Sequence, residues 1–239
     1  MRWMLEPLGE DAVLLRLGDA ISPEINRRVH ALAARLDACR PAWLREIVPA
    51  YASLALIVEP GHPEIRDAPP LDRLHEWLAA QALDATAPRP DDDGPAAIVD
   101  IPTCYDGDCA PDLDDVAAHA GLKREDVVAR HTGTVYIVGM LGFAPGFPYL
   151  IGLAPALAMP RRATPRVRVP AGSVAIGGAQ TGLYPRESPG GWHVIGRTPL
   201  QLFDPERPQP SLLAPGQRVR FAAIDRAQWD ATVGAARHV

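Results

Sequence analysis

Apolar positions in residues 1–86 switch between the period of a strand and the period of a helix, and the switches lay out an α/β unit. Ala12 to Leu17 is a short apolar run of strand length. Ser22-Pro23-Glu24 then starts a helix: a hydroxyl at the cap, a proline where its missing N–H costs nothing, and an acid at the positive end of the helix dipole. Ile25, Val29, Leu32 and Leu36 follow at helical spacing as one apolar stripe. Glu46 to Ala50 and Leu54 to Val58 read as two strands around a short connection, and Leu71, Leu74, Trp77 and Leu78 mark one side of a second helix. The order β-α-β-β-α, closed by Ile98 to Ile101, predicts a ferredoxin-like split βαβ unit. Ala87 to Pro95 has nothing apolar to bury and reads as a linker, so two domains are expected, 1–90 and 91–239.

Two short helices broken at Gly121 are expected over residues 112–131, with Asp112 capping the first. Beyond them the pattern changes. Residues 139–199 hold 11 of the 20 glycines and 9 of the 26 prolines between short apolar runs. No long helix survives that density, so strands and tight turns are predicted. Val135–Met140, Val167–Val169, Val174–Ile176, Trp192–Ile195, Leu200–Phe203 and Arg218–Phe221 are the candidate strands of a compact β-barrel. Asp225 to Ala236 reads as a closing helix. The expected class is α+β: an N-terminal α/β domain, a helical lead-in and a barrel.

Composition narrows the function without naming it. With 47% hydrophobic and 22% charged residues the chain has the make-up of a folded protein. No apolar run approaches the roughly 20 residues that cross a bilayer. Glu6 and Pro7 interrupt any signal-peptide stretch, so a soluble, cytoplasmic protein is expected. Cys39, Cys104 and Cys109 form no disulfide framework, and no zinc-ligand spacing surrounds them, so no metal site is expected. Charge is uneven. Residues 1–134 carry 13 basic and 24 acidic side chains, residues 135–239 carry 11 and 5. The basic half suits a carboxylate, a phosphate or an acidic surface. Nucleic acid is not expected, since Lys123 is the only lysine and no recognition motif accompanies the arginines.

Familiar catalytic signatures are missing: there is no Walker loop, no G-x-S-x-G around Ser173 and no H-E-x-x-H. Stiff loops stand out instead. Gly142 to Leu150 carries Phe143, Phe147 and Tyr149 among prolines and glycines, as a pocket wall or partner platform, or as an aromatic plug under a barrel end. Arg161, Arg162, Arg166 and Arg168 offer forked donors to an anion, or a solvated strand face. Gly177-Gly178-Ala179-Gln180-Thr181-Gly182-Leu183-Tyr184-Pro185 and Ser188 to Pro199 are glycine-rich segments with polar side chains, read as ligand loops or as plain glycine hairpins. Arg197, between Gly196 and Thr198, is the best candidate for a ligand-facing charge, whereas His193 reads as structural. Arg197, Gln180 and Tyr184 are expected to converge on one pocket.

At these residues the chain resembles the family of 5-oxoprolinase B subunits, also known as allophanate hydrolase subunit 1 or kinase A inhibitor. The matching strings are Gly142-Phe143-x-Pro145-Gly146-Phe147-x-Tyr149-Leu150, Pro170 to Val174, Gln180-Thr181-Gly182-x-Tyr184-Pro185, Ser188 to Trp192 and Gly196 to Pro199, with His131 and Pro111-Asp112-Leu113 upstream. Asp106 and Ala110 stand where the family tends to have glycine. The resemblance implies that the barrel is cyclophilin-like. It implies pairing with the cyclophilin-like C subunit of 5-oxoprolinase and, with the A subunit, opening of 5-oxo-L-proline to L-glutamate at the expense of ATP. The same domain pair is similar to the carboxyltransferase portion of urea carboxylase, an allophanate- or urea-type alternative. The kinase A inhibitor branch implies a second one, a regulator docking on a sensor histidine kinase. Under the enzyme reading ATP activates the amide oxygen and water attacks. Arg197, Gln180, Tyr184 and Thr198 are then the expected catalytic groups. Arg166, His131, Ser188 and Trp192 are expected to bind substrate or anion, with Phe143, Phe147 and Tyr149 on a pocket wall or partner face.

Overall fold

The apolar stripe of the first predicted helix is where the N-terminal unit gets its core. In the computed structural model, which describes residues 4–67, 69–81 and 97–236, Val29, Leu32 and Leu36 of helix α1 (Pro23–Ala38) are buried. They pack with Val13 and Leu15 of β2 (Ala12–Arg16), Leu54, Leu56 and Val58 of β4 (Ser53–Val58), and Leu74 and Leu78 of α2 (Pro70–Ala80). Each fully buried side chain of this kind contributes roughly 1.5–3 kcal/mol. Asn26 is buried on the same helix and donates to the carbonyls of Ala50 and Tyr51, both at 3.2 Å. With β1 (Met4–Pro7) and β3 (Leu44–Pro49) the sheet runs β1-β2-β4-β3, every pair antiparallel. The fourth strand is therefore the N-terminal one. Ile98 to Ile101, expected to close this sheet, belongs to the second unit, where it finds a partner more than a hundred residues downstream.

The chain divides into two compact units, residues 1–95 and 96–239. The expected linker and the expected boundary at residue 90 lie outside the described residues. The second unit is built on a closed barrel in the order β10-β7-β6-β13-β5-β12-β9. Its strands are β5 (Ile98–Cys104), β6 (Val135–Leu141), β7 (Pro148–Ile151), β9 (Ser173–Gly177), β10 (Gln180–Leu183), β12 (His193–Arg197) and β13 (Arg218–Ile224). β5 and β13 run parallel over seven residue pairs, and the other neighbours are antiparallel. Ile101, Val138, Leu150, Val174, Ile176, Ile195 and Phe221 form its core. The α+β class is as the sequence predicts.

Three strand expectations change. Val167–Val169 lies in β8 (Arg166–Val169), which pairs only with β11 (Ser188–Gly190) in a two-stranded ribbon outside the barrel. Leu200–Phe203 is irregular, with Phe203 bridging Ser211. Gln180–Leu183, read as a ligand loop, is a barrel strand. Helices α3 (Leu113–Ala120), α4 (Arg124–Thr132) and α5 (Arg226–Ala236) complete the unit, and Gly121 ends α3 in the left-handed conformation at φ 64°. Among the described residues no helix is long and apolar enough to cross a membrane.

Asp112 stands at the start of α3 as expected, but its carboxylate does not cap the helix. Its side chain, 2% exposed, accepts four hydrogen bonds: Arg162 Nη1 at 2.9 Å, Arg166 Nη2 and Nη1 both at 2.6 Å, and the Val194 backbone N–H at 2.7 Å. The Asp112 N–H returns a bond to the Val194 carbonyl at 2.9 Å. One carboxylate thus joins the lead-in helix, the ribbon and barrel strand β12. Arg166, expected to bind substrate or anion, is committed here instead, because a bidentate partner already fills its fork.

His131, the other upstream candidate, is wholly buried on helix α4 against the barrel, its ring 4.3 Å from that of Phe221. Thr181 Oγ1 spends its proton on the Ala175 carbonyl at 3.0 Å, so it accepts from His131 Nε2–H at 3.1 Å. Nδ1 then accepts from the Tyr105 hydroxyl at 2.8 Å. Both ring nitrogens are used, and burial lowers the imidazole pKa to about 3. His131 is a neutral core residue and binds no anion.

Two outcomes follow from these buried polar groups. Removing the acid in Asp112→Ala leaves two guanidinium groups without their partner, and a loss of about 3 kcal/mol is expected in urea unfolding of the full chain near neutral pH. The histidine gives a pH dependence with a definite sign. Its folded pKa lies below the ordinary 6.5, so stability is full above about pH 6.5 and falls as acid protonates the unfolded chain first. From neutral pH to pH 4.5 the loss is roughly 2–3 kcal/mol. In His131→Asn that component should vanish from the stability–pH curve, whatever its stability at neutral pH.

Candidate functional site

The outer face of β9 and β10 carries residues too small to cover it, and aromatic rings lie there instead. A Cβ on Gly177 would come within 2.6 Å of the Trp192 ring, so only glycine admits that ring. Phe147, Tyr184 and Trp192 pack with Val169 of the ribbon and Ala175 and Val194 of the barrel into a second core. Their rings meet edge to face, Phe147 to Tyr184 at 5.1 Å and Phe147 to Trp192 at 5.8 Å. Burial raises the Tyr184 pKa, which keeps the phenol neutral. Of the loop aromatics, Phe147 is core and Tyr149 is half-buried at the cluster's edge. Phe143 is 62% exposed with φ 67°, a left-handed conformation that bulky residues rarely hold. Ser188, on the ribbon, has its hydroxyl buried without a hydrogen-bond partner among the described residues. Trp192 and Tyr184, expected to meet substrate, hold the ribbon to the barrel.

A cavity of about 570 Å³ opens at the end of the barrel where β9 begins. Its polar wall is made by Arg197, Thr198, Gln201, Asp108, Arg226 and Asp230, with the Trp229 ring of α5 beside them. Gly172 makes the approach of strands possible there: at φ 79°, a Cβ would sit 2.2 Å from the Thr198 carbonyl oxygen. Arg197 Nε donates to the Ala171 carbonyl at 2.8 Å, and its guanidinium carbon lies 5.5 Å from the centre of the Trp229 ring. Arg226 is clasped between Asp108 and Asp230, the latter 3.1 Å from Nε. Buried Thr198 Oγ1 accepts from the Leu200 N–H at 3.3 Å and shapes the turn through Pro199. Cys109 also faces the cavity. Burial beside Cys104 pushes its thiol pKa up to about 12, so it stays protonated and is a poor nucleophile.

The expected convergence of Arg197, Gln180 and Tyr184 does not occur. Arg197 pairs with Ser173 at one end of β9 and Gln180 with Gly177 at the other, four residues or roughly 13 Å apart. The Tyr184 backbone reaches the cavity end, donating to the Ser173 carbonyl at 2.9 Å, but its ring runs away toward Gly190 and Trp192. Arg197 and Thr198 alone of the expected catalytic residues line the cavity. Trp229, Arg226 and Asp108 were not singled out by the sequence, which marks α5 as a helix but not the face it turns to β5.

Elsewhere Asp112, Asp115 and His193 bring ligand-type atoms within 4.8 Å of one another. Two guanidinium groups already occupy Asp112 and oppose a cation there, and His193 Nε2 bonds the Pro160 carbonyl at 3.0 Å.

Known proteins resemble the chain along nearly its whole length. The family described as "Carboxyltransferase domain, subdomain C and D" matches residues 3–213. The 5-oxoprolinase B subunit of Bacillus subtilis (strain 168) is 39% identical over 239 residues, covering 97% of each chain. The 5-oxoprolinase B subunit of Escherichia coli O157:H7 is 43% identical over 214 residues, covering 90% of this chain and 93% of the relative. The crystal structure of TTHA0988 superposes with a TM-score of 0.75 at 41% identity, over 92% of this chain and 41% of that one. The chain therefore spans less than half the length of that solved relative, though almost all of the two B subunits. With the family matched over most of its residues, the chain belongs to the carboxyltransferase domain family, subdomains C and D.

Proposed function

We propose that this chain is the B subunit of a 5-oxoprolinase and works in an ATP-dependent assembly with the A and C subunits. The observation that carries the reading is identity of 39–43% over 90% or more of the chain to proteins named as 5-oxoprolinase B subunits. The reaction is the opening of 5-oxo-L-proline to L-glutamate. An unstrained lactam resists water, so the assembly must activate the amide oxygen before the ring carbon–nitrogen bond can break, and this is what ATP supplies.

The chain's own residues support a partial site. Arg197 and Thr198 stand on a cavity whose wall holds no strong nucleophile, since the Cys109 thiol stays protonated. A cavity that can hold an anion but not attack a carbonyl suits a shared active site, completed by groups of the other subunits. Phe143, exposed on a proline-stiffened loop, is the contact offered to one of them, because covering an exposed apolar ring is favourable and a stiff loop loses little freedom on binding.

The purified chain alone is expected to release no glutamate from 5-oxoproline and ATP, and to support release once the A and C subunits are added. A coupled glutamate assay on the chain alone checks this, and turnover there would overturn the shared site.

A further inference from the structure

We infer that the Arg197 cavity receives the carboxylate of a small monoanionic substrate and does not receive the polyphosphate of a nucleotide. For the name of the substrate, 5-oxo-L-proline, the inference rests on the function proposed above; the choice of carboxylate over polyphosphate rests on the cavity itself.

Arg197 is held on one side and open on the other. Its Nε–H is spent on the Ala171 carbonyl and its plane is set beside Trp229, which leaves the two Nη groups as a fixed donor edge. Among the described residues no carboxylate forms an ion pair with it, unlike Arg226, which Asp108 and Asp230 neutralise. A single planar guanidinium edge matches a single carboxylate through two parallel hydrogen bonds.

The rest of the wall disfavours more negative charge. Its four charged side chains are two arginines and two aspartates, so the cavity is balanced before any ligand enters. One negative charge fits against Arg197; a triphosphate would bring several against Asp108 and Asp230. Phosphate sites also rely on backbone N–H groups turned into the ligand. Here the Gly172 N–H bonds Tyr184, the Thr198 N–H bonds Gly172 and the Leu200 N–H bonds Thr198 Oγ1. Pro185 and Pro199, also in the wall, have no N–H to give. In the first turn of α5 the Gln228 N–H is likewise taken, by Asp225 Oδ1 at 2.8 Å. The spent N–H groups of Gly172, Thr198 and Leu200, the two prolines and the two aspartates together make a poor phosphate cradle, which places ATP elsewhere in the assembly. Leu200 and Val233 supply apolar wall for the body of a small ring.

Ligand-observed NMR titration of the full chain tests this with three probes: 5-oxo-L-proline, 2-pyrrolidinone (the same ring without the carboxylate) and ATP. The acid should bind at least tenfold more tightly than 2-pyrrolidinone. Arg197→Lys should weaken the acid at least tenfold at an unchanged melting temperature, while Arg168→Lys, on the exposed ribbon, binds as wild type. ATP in excess should not displace the acid. Equal binding of 2-pyrrolidinone, displacement by ATP, or no binding of the acid to the chain overturns the inference. Should Arg197→Lys fail to fold, the comparison of acid with 2-pyrrolidinone still decides. Glutamate formation by the wild-type chain with the A and C subunits reads the proposed function separately. An active assembly in which this chain ignores the carboxylate sinks only this inference. An inactive one in which this chain grips it through Arg197 sinks only the proposed function.

Discussion

A buried carboxylate must be matched by donors or it destabilises the fold that encloses it, and Asp112 meets this demand with donors from three places. Two arginines come from the segment that leads into and forms the ribbon, and one N–H comes from barrel strand β12. The return bond from its own N–H to Val194 sets the lead-in helix against the same strand. β12 then carries Arg197, so the charge at the cavity is positioned on a strand that this carboxylate helps to fix. The ribbon held by Arg162 and Arg166 covers the aromatic cluster, which keeps water from the outer face of β9 and β10.

The barrel's surroundings are thereby divided into two kinds of surface. Along the outer face, missing side chains make room for rings, and the tyrosine and tryptophan there serve packing. At the end of the barrel, the left-handed Gly172 lets two strands close on each other, and polar groups gather around open space. His131 belongs to neither surface. Its hydrogen bonds run from helix α4 to Tyr105, just past β5, and to Thr181 of β10, in an interior where an imidazole is tolerated only neutral and fully paired.

The charges at the cavity are ordered by how much of each is already used. Arg226 is paired twice, and Arg166 and Arg162 share the one carboxylate of Asp112 away from the cavity. Arg197 keeps an edge for something else. Counting basic residues in the second half of the chain gives a general affinity for anions; of the two arginines that line the cavity, pairing leaves Arg197 to express it there.

Local pattern by itself determined a good deal. The proline at Pro23, the stripe Val29-Leu32-Leu36 and the break at Gly121 placed α1, α3 and α4, because helix periods and breaks involve residues within a few positions of each other, although the Ser22 hydroxyl makes no capping bond. Short β-branched runs placed β6, β9, β12 and β13 for the same reason. The motifs from Gly142 to Pro199 were enough to indicate the family. Partner choice was another matter. That Ile98–Cys104 joins a strand at Arg218–Ile224, that Arg166 serves Asp112 across 54 positions, that Gln180 and Arg197 pair with opposite ends of β9, and that Trp229 lies beside Arg197 depend on contacts between distant segments. A sequence shows that an arginine is charged and a glycine permissive, but only the packed chain decides which carboxylate reaches the one and which ring fills the space beside the other.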